Sequence, residues 1–351
     1  MVDIAALADE LTNAYATKTI LPVPLSSREA GFDLATAYAS EAELVRRRRA
    51  GGRKTVGRKV GFANKAMWRV LKLDTLVWAH MYDDTVIHAG KSASLSLGRM
   101  VAPKIEREIV FKLRAPVDTV NLDAAAILGS VEWLALGFEI VDSVFADWKF
   151  QPADFVAAFG LHAALVVGEP RRVNADNIPA LVEQLAQFKV RLSRNDELVA
   201  EGSGRNSLRS PALCLGELAS AIASRSPDEP LSGGELVSSG AHRGAADRAW
   251  RDVDGHSASY RSQRPDADDD SLNRRTLNKP RAESAESRAI IIHGSNPFHL
   301  RGGLRSRGAG TCSCLGLRRA QVHRRPRHLD PAGRRAAALR GQSGPRRRAL
   351  D

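Results

Sequence analysis

The sequence predicts an α+β chain with a helical opening, a body built from short strands and a C-terminal extension of different composition. Three observations carry this prediction. Apolar residues recur at helical spacing through the first fifty residues. From residue 55 onward, runs such as TVGRKVGF, IEREIVF and GFEIV are rich in β-branched and aromatic residues, as strands are. Residues 1–240 carry 28 Lys and Arg against 29 Asp and Glu, whereas residues 241–351 carry 24 against 11, so the excess of the formal +12 charge belongs to the extension.

Asp3 is placed to cap a first helix with Ile4, Leu7, Leu11 and Tyr15 along one side, and Asp33 to cap a second with Leu34, Tyr38 and Val45. The arginines 46–49 fall in the last turn before Gly51 and Gly52, where cations suit the negative helix end and glycine suits the residue beyond it. That run reads as a solvated helix terminus, with an anion site as the alternative. The opening region, residues 1–52, is expected to pack on the body that follows.

Lys59 stands in the strand-like TVGRKVGF, where a lysine either snorkels from an edge strand or serves a site. Gly57 and Gly61 flank it and would let a ligand approach the backbone closely. The central stretch, residues 103–150, holds the densest chemistry. Glu106 and Glu108 lie two apart on a predicted strand, so both carboxylates face the same way. Two anions side by side repel each other, a cost relieved when a cation sits between them. Glu139, on a second predicted strand, supplies a third carboxylate. Three such oxygen donors suit a hard divalent ion, Mg²⁺ or Mn²⁺; the competing reading of Glu106 and Glu108 is a solvent-facing strand edge. A helix is expected over 123–128 between the two strands. Lys149 follows two residues after Asp147 and is either a pocket cation or half of a surface ion pair.

Farther on, Phe188, Val190 and Leu192 alternate and the chain turns at Asn195-Asp196, as a hairpin does. The loop GSGRNS at 202–207, with Gly202, Ser203, Gly204 and Ser207, is of the kind that presents backbone N–H groups to an anion. It leads into a helix with Pro211 in its first turn and Leu215, Leu218 and Ile222 on its inner face. Cys214, Cys312 and Cys314 have neither the number nor the spacing of a disulfide framework or zinc cage, which points to a reducing cytoplasm. No run reaches the ~18 apolar residues of a membrane span, and the N-terminus lacks the basic start of a signal peptide.

Five segments in order, GRKVGFANK (57–65), PKIEREIVF (103–111), FEIVDSVFADWKF (138–150), EGSGRNSLRSPALCLGELA (201–219) and LSGGELVSSG (231–240), resemble the fumarylacetoacetase superfamily. Within it they resemble the branch of 2-keto-4-pentenoate (2-hydroxypenta-2,4-dienoate) hydratase and 4-oxalocrotonate decarboxylase. The resemblance implies a mixed β-sandwich or β-roll over 53–240. It implies a Mg²⁺- or Mn²⁺-dependent lyase of aromatic-compound catabolism that hydrates an unsaturated 2-hydroxy or 2-oxo acid, and a homo-oligomer. Glu106, Glu108 and Glu139 would hold the metal, with Lys59 and Lys149 as catalytic cations. Asp83 and Asp84, otherwise an ordinary turn, would lie over the pocket, and Gly202, Ser203, Gly204 and Ser207 would bind substrate. Decarboxylation of a vinylogous 2-oxo acid is the alternative. Acylpyruvate C–C hydrolysis is third, because it wants a His/Glu water-activating pair that the sequence does not display.

The chain departs from this pattern twice. After Gln151 it reads PADFVAAFGLHAALVVG in place of an Asp-Asn-Ala-Ser-like stretch; His162 there serves as an acid or base, or sits satisfied in the core. After Gly240 the resemblance stops. The extension, residues 241–351, holds 23 Arg but one Lys, Lys279, and its aromatics are only Trp250, Tyr260 and Phe298. Such a composition is expected to stay unstructured, as a frame-changed or natural basic extension. A nucleic-acid-binding module is the reading from a different class. The absence of aromatics interleaved with the arginines speaks against it.

Overall fold

A computed structural model of the chain describes residues 2–90, 92–194, 197–240, 257–263 and 289–293. All of them belong to one compact unit, Met1–Leu300. The strands in chain order are β1 (Thr55–Gly61), β2 (Val77–Tyr82), β3 (Val86–Gly90), β4 (Ser92–Ser96), β5 (Pro103–Leu113), β6 (Val131–Asp142) and β7 (His162–Gly168). There follow β8 (Arg171–Arg172), β9 (Lys189–Arg194), β10 (Glu197–Ser203), β11 (Leu236–Ser238), β12 (Ser257–Gln263) and β13 (Ala289–His293).

The larger sheet runs β2-β1-β11-β5-β6-β7-β3, with β8 paired to β6. It mixes parallel pairs, β1 with β11 and β3 with β7, with antiparallel ones. Met81 of β2, Leu236 of β11, Val110 of β5, Ala135 of β6 and Leu165 and Val167 of β7 meet in one buried cluster. Residues from strands far apart in the sheet order touch only if the sheet curls, so these side chains fill the inside of a roll. On its outer face, Ile105, Phe138, Ile140, Ala164 and Val166 pack against Val190 and Leu192 of β9 and Leu97 just after β4. That contact joins the second sheet, β10-β9-β12-β13-β4, to the first as a sandwich. The mixed α/β fold with a curled sheet is the architecture expected from the sequence.

The opening residues form the predicted helices. Asp3 caps Ile4–Thr17 by accepting from the Ala6 amide at 3.0 Å, and Asp33 caps Leu34–Ala50 by accepting from Thr36 at 2.8 Å. They are fastened to the body by polar contacts as well as by burial of Leu7, Leu11 and Leu44. The Tyr15 hydroxyl donates to the Asp142 carbonyl at 3.0 Å, and buried Asp154 accepts from the Ser26 amide at 2.8 Å. The run of arginines forms ion pairs at a partly solvated helix end: Arg46 and Arg47 bind Glu43, Arg47 also binds Asp9, Arg48 binds Asp84, and Arg49 binds Glu229. The expected helix between the carboxylate strands is Ala124–Gly129, capped by Asp123.

Two segments of the extension, β12 and β13, are among the described residues. β12 pairs antiparallel with β9 and β13 antiparallel with β4, and the two pair in parallel with each other. The backbones of β9 and β4 offer hydrogen-bonding edges that a composition argument does not see. The expectation for the rest of 241–351 lies outside the described residues. Among the described residues, no helix is long and apolar enough to cross a membrane.

Candidate metal centre

The three glutamates converge inside the roll. Glu106 on β5 lies directly opposite Glu139 on β6, and Glu108 lies opposite Gly137. A Cβ at 137 would press on Val110 Cγ2 at 2.7 Å and on the Val166 carbonyl at 3.1 Å, so the glycine is required by the packing of the layer next to the glutamates. One carboxylate oxygen from each of Glu106, Glu108 and Glu139 falls within 4.8 Å of the others. The interior apolar cluster includes Val110, Ala135, Leu165 and Leu236. Moving two residues from Val110 or from Leu236, or four from Ala135, along the same strand face reaches Glu108, Ser238 and Glu139. One end of the roll is therefore apolar and the next layer is acidic.

Glu108 and Glu139 are nearly inaccessible, at 2% and 1% exposure. The Ser238 hydroxyl donates to Glu108 at 2.6 Å and the Gly240 amide donates to the same oxygen. Burial, then the charges of Glu139 and Glu106, nevertheless push Glu108 up to about 8, against those two hydrogen bonds. Glu139 is also pushed up by burial, but Lys59 and His162 outweigh this and hold it below the usual value. Lys59 Nζ lies 3.2 Å from Glu139 Oε2 and donates to the Gly160 carbonyl at 3.0 Å. Across β1 and β11 Lys59 is in register with Ser238, the residue that holds Glu108. His162 Nδ1 lies 2.7 Å from Glu139 Oε1.

The two lysines expected to act as a pair are separated by burial. The Lys59 side chain is 2% exposed, whereas Lys149 is 79% exposed and paired with Asp147 at 3.3 Å. Lys149 is thus a surface ion pair, because the short helical turn Ala146–Trp148 turns both side chains to solvent. Lys149→Ala is expected to leave turnover unchanged and to shift stability by no more than about 1 kcal/mol. A thermal melt and a steady-state assay would check both.

Asp83 and Asp84 are likewise turned away from the triad. Asp83 accepts from the Lys54 amide at 3.2 Å, and Asp84 pairs with Arg48 at 2.8 Å and Arg53 at 3.2 Å. They tie the β2–β3 turn to the end of the Leu34–Ala50 helix instead of covering a pocket. In the 202–207 loop, Ser203 accepts from the Arg205 amide and Ser207 donates to the Ser239 carbonyl at 2.5 Å. Gly204 sits so close to Leu185 that an added Cβ would meet its carbonyl oxygen at 1.8 Å, and Gly202 is buried in β10. Of these four residues Ser207 alone reaches the segment that holds Glu108, through Ser239; Gly202 pairs with Val190 of β9, and Ser203 and Gly204 are engaged within the loop and against Leu185.

His162 is the site residue that sequence reasoning left undecided. Its only signal was its place at the start of the strand beside Glu139. The register that makes the two meet was not legible.

The chain is similar to several known proteins. A 2-hydroxypent-2,4-dienoate hydratase from Pseudomonas putida is 30% identical over 225 residues, 62% of this chain and 95% of that protein. A 4-oxalocrotonate decarboxylase from Pseudomonas sp. (strain CF600) is 26% identical over 237 residues, 68% of this chain and 86% of that protein. Among solved structures, 4-oxalocrotonate decarboxylase from Pseudomonas putida G7, complexed with magnesium and adipate, matches with a TM-score of 0.60 at 23% identity. That match covers 69% of this chain and 88% of the other. No family model matches. With 95% of a 30%-identical relative covered, the chain belongs to the fumarylacetoacetase superfamily. Its relatives there are the 2-keto-4-pentenoate hydratases and 4-oxalocrotonate decarboxylase.

Proposed function

We propose that the protein is a divalent-metal-dependent hydro-lyase that adds water to a 2-hydroxy-2,4-dienoate, giving a 4-hydroxy-2-oxo acid. The observation that carries this reading is the carboxylate triad Glu106, Glu108 and Glu139 inside the roll, with the buried Lys59 at its edge. The donor set fits the metal. Three hard oxygens within one ion's reach, two of them buried and one pushed up by its neighbours, form a site that a Mg²⁺ or Mn²⁺ ion would relieve. Glu106, Glu108 and Glu139 would hold it. When bound, such an ion supplies Lewis acidity toward the carboxylate and 2-oxygen of a 2-oxo acid.

The chain's own groups do the rest. The Lys59 ammonium has three hydrogens; Glu139 and the Gly160 carbonyl account for two, which leaves one for the substrate. Lys59 is therefore the group that holds and delivers a proton as the dienol becomes a ketone. Ketonisation conjugates the remaining double bond with a carbonyl, which opens C4 to water. Burial of Lys59, Glu108 and Glu139 keeps bulk water from competing for that proton.

Decarboxylation is the second reading, favoured by the decarboxylase relative and by the chemistry: the same carboxylate-and-oxygen chelation stabilises a dienolate left by loss of CO₂. C–C hydrolysis is not favoured. His162 and Glu139 do pair, but the ring's other nitrogen lies 2.9 Å from Thr85 and the imidazole is enclosed, so it presents no base to water. The test is to incubate the purified chain with Mg²⁺ and either 2-hydroxypenta-2,4-dienoate or 4-oxalocrotonate and read the products by mass. Gain of one water by the dienoate is expected. Loss of CO₂ from oxalocrotonate without hydration of the dienoate would replace this reading with the second, and no reaction of either would overturn both.

A further inference from the structure

Glu139 is gripped at both oxygens, by Lys59 on Oε2 and by His162 on Oε1. We propose that His162, seated by Thr85, is a positioning residue that fixes the orientation of Glu139 for the metal; this rests on the metal-dependent reading above.

The backbone brings the ring there by two devices. Val141 is the register partner of His162, and Glu139 and Val141 share one face of β6, so the imidazole stands diagonally across from Glu139. A register shift between Ile140 and Val141 marks the place where the strands adjust. Just before His162, Phe159, Gly160 and Leu161 have φ of 57°, 61° and 56°, a left-handed turn unfavourable for the two non-glycine residues. That turn aims the Gly160 carbonyl at Lys59 and delivers His162 to Glu139, so one strained turn places both partners of the same carboxylate.

The hydrogen-bond logic assigns the ring. With Lys59 keeping Glu139 ionised, the carboxylate only accepts, so His162 Nδ1–H donates to it. On its other side Nε2 lies 2.9 Å from Thr85 Oγ1, which is itself fixed by accepting from the Tyr82 amide at 3.2 Å and by lying 3.0 Å from the Tyr82 carbonyl, so the hydroxyl seats the ring. Thr85 belongs to the β2–β3 turn that Asp83 and Asp84 tie to Lys54, Arg48 and Arg53. The acidic turn therefore supports the site from behind. A glutamate has three side-chain torsions, the last of them soft. Two fixed contacts remove that freedom before a metal arrives and hold Glu139 with one of its oxygens within 4.8 Å of oxygens of Glu106 and Glu108. Support of this kind typically changes metal affinity by about 10- to 100-fold.

The experiment measures Mn²⁺ binding to the full chain by calorimetry, with thermal melts as a folding control. His162→Leu is expected to weaken Mn²⁺ by about 10- to 100-fold. His162→Asn, whose amide puts a donor where Nδ1 was, is expected to recover most of the affinity. Thr85→Val should weaken binding in the same direction, and Thr85→Ser should not. A role in packing alone would lower the melting temperature without this pattern. A folded His162→Leu that binds Mn²⁺ as the wild type does, or an Asn variant as weak as Leu, overturns the proposal. If His162→Leu does not fold, Thr85→Val, which removes one hydroxyl, decides it by the same criterion. Glu106→Gln separates the two levels. Wild-type Mn²⁺ affinity lost in Glu106→Gln but intact in His162→Leu overturns only the role of His162. Affinity unaffected by Glu106→Gln overturns the metal reading, and this inference with it.

Discussion

Glu108→Gln, and equally Glu106→Gln, is expected to abolish metal-dependent turnover and to weaken Mg²⁺ or Mn²⁺ by more than the roughly 10- to 100-fold that accompanies loss of a supporting residue. The substitution keeps shape and removes one charge from a triad whose oxygens lie within 4.8 Å. The stability of the variant carries a second signature. In the metal-free protein Glu108 is crowded by Glu139 and Glu106 and pushed up to about 8, so its neutral replacement should melt no lower than the wild type. Metal should then stabilise the wild type, by about 2.7 kcal/mol at a hundredfold excess over Kd, and leave the variant unchanged. Paired melts with and without Mn²⁺ would show this. Wild-type turnover with undiminished Mg²⁺ affinity in a folded Glu108→Gln protein would sink the assignment.

Lys59→Met is expected to reduce turnover by about 10² or more, the scale for loss of a general acid or base, while Mn²⁺ still binds because the three carboxylates remain. The variant also leaves Glu139 buried at 1% exposure, with His162 on Oε1 and the cation gone from Oε2. Breaking a buried ion pair by removing one partner costs about 3–5 kcal/mol. The metal-free variant should therefore melt well below the wild type, and added Mn²⁺ should recover part of the difference by neutralising the stranded carboxylate. Single-turnover rates at saturating Mn²⁺, read beside the melts, separate the catalytic loss from the structural one. Unchanged turnover would return Lys59 to a purely structural role.

The primary sequence determined the chemistry that is local in the chain. The period of two placed Glu106 and Glu108 on one strand face, whereas the glycines around Lys59, read as room for a ligand, are met by the Leu236 backbone at Gly57 and by the Phe155 ring at Gly61. Asp3 and Asp33 announced their helices, because a cap is satisfied within three residues. What pairs at long range was decided by the tertiary structure. Lys59 and Lys149 read alike on paper; burial at 2% against 79% separated them, since exposure depends on which strands and helices cover a residue. Asp83 and Asp84 could be placed over a pocket only by resemblance, and the end of the Leu34–Ala50 helix claimed Asp84 instead. β12 and β13 lie in a stretch whose composition argued against order; they pair through backbone groups, which every residue carries whatever its side chain. His162 was undecidable for the same reason that Glu139 was legible only in part. A strand's faces can be read from its own alternation, but the register of β6 on β7 is set by the whole roll, and a slip of one residue would have turned the imidazole away from the carboxylate.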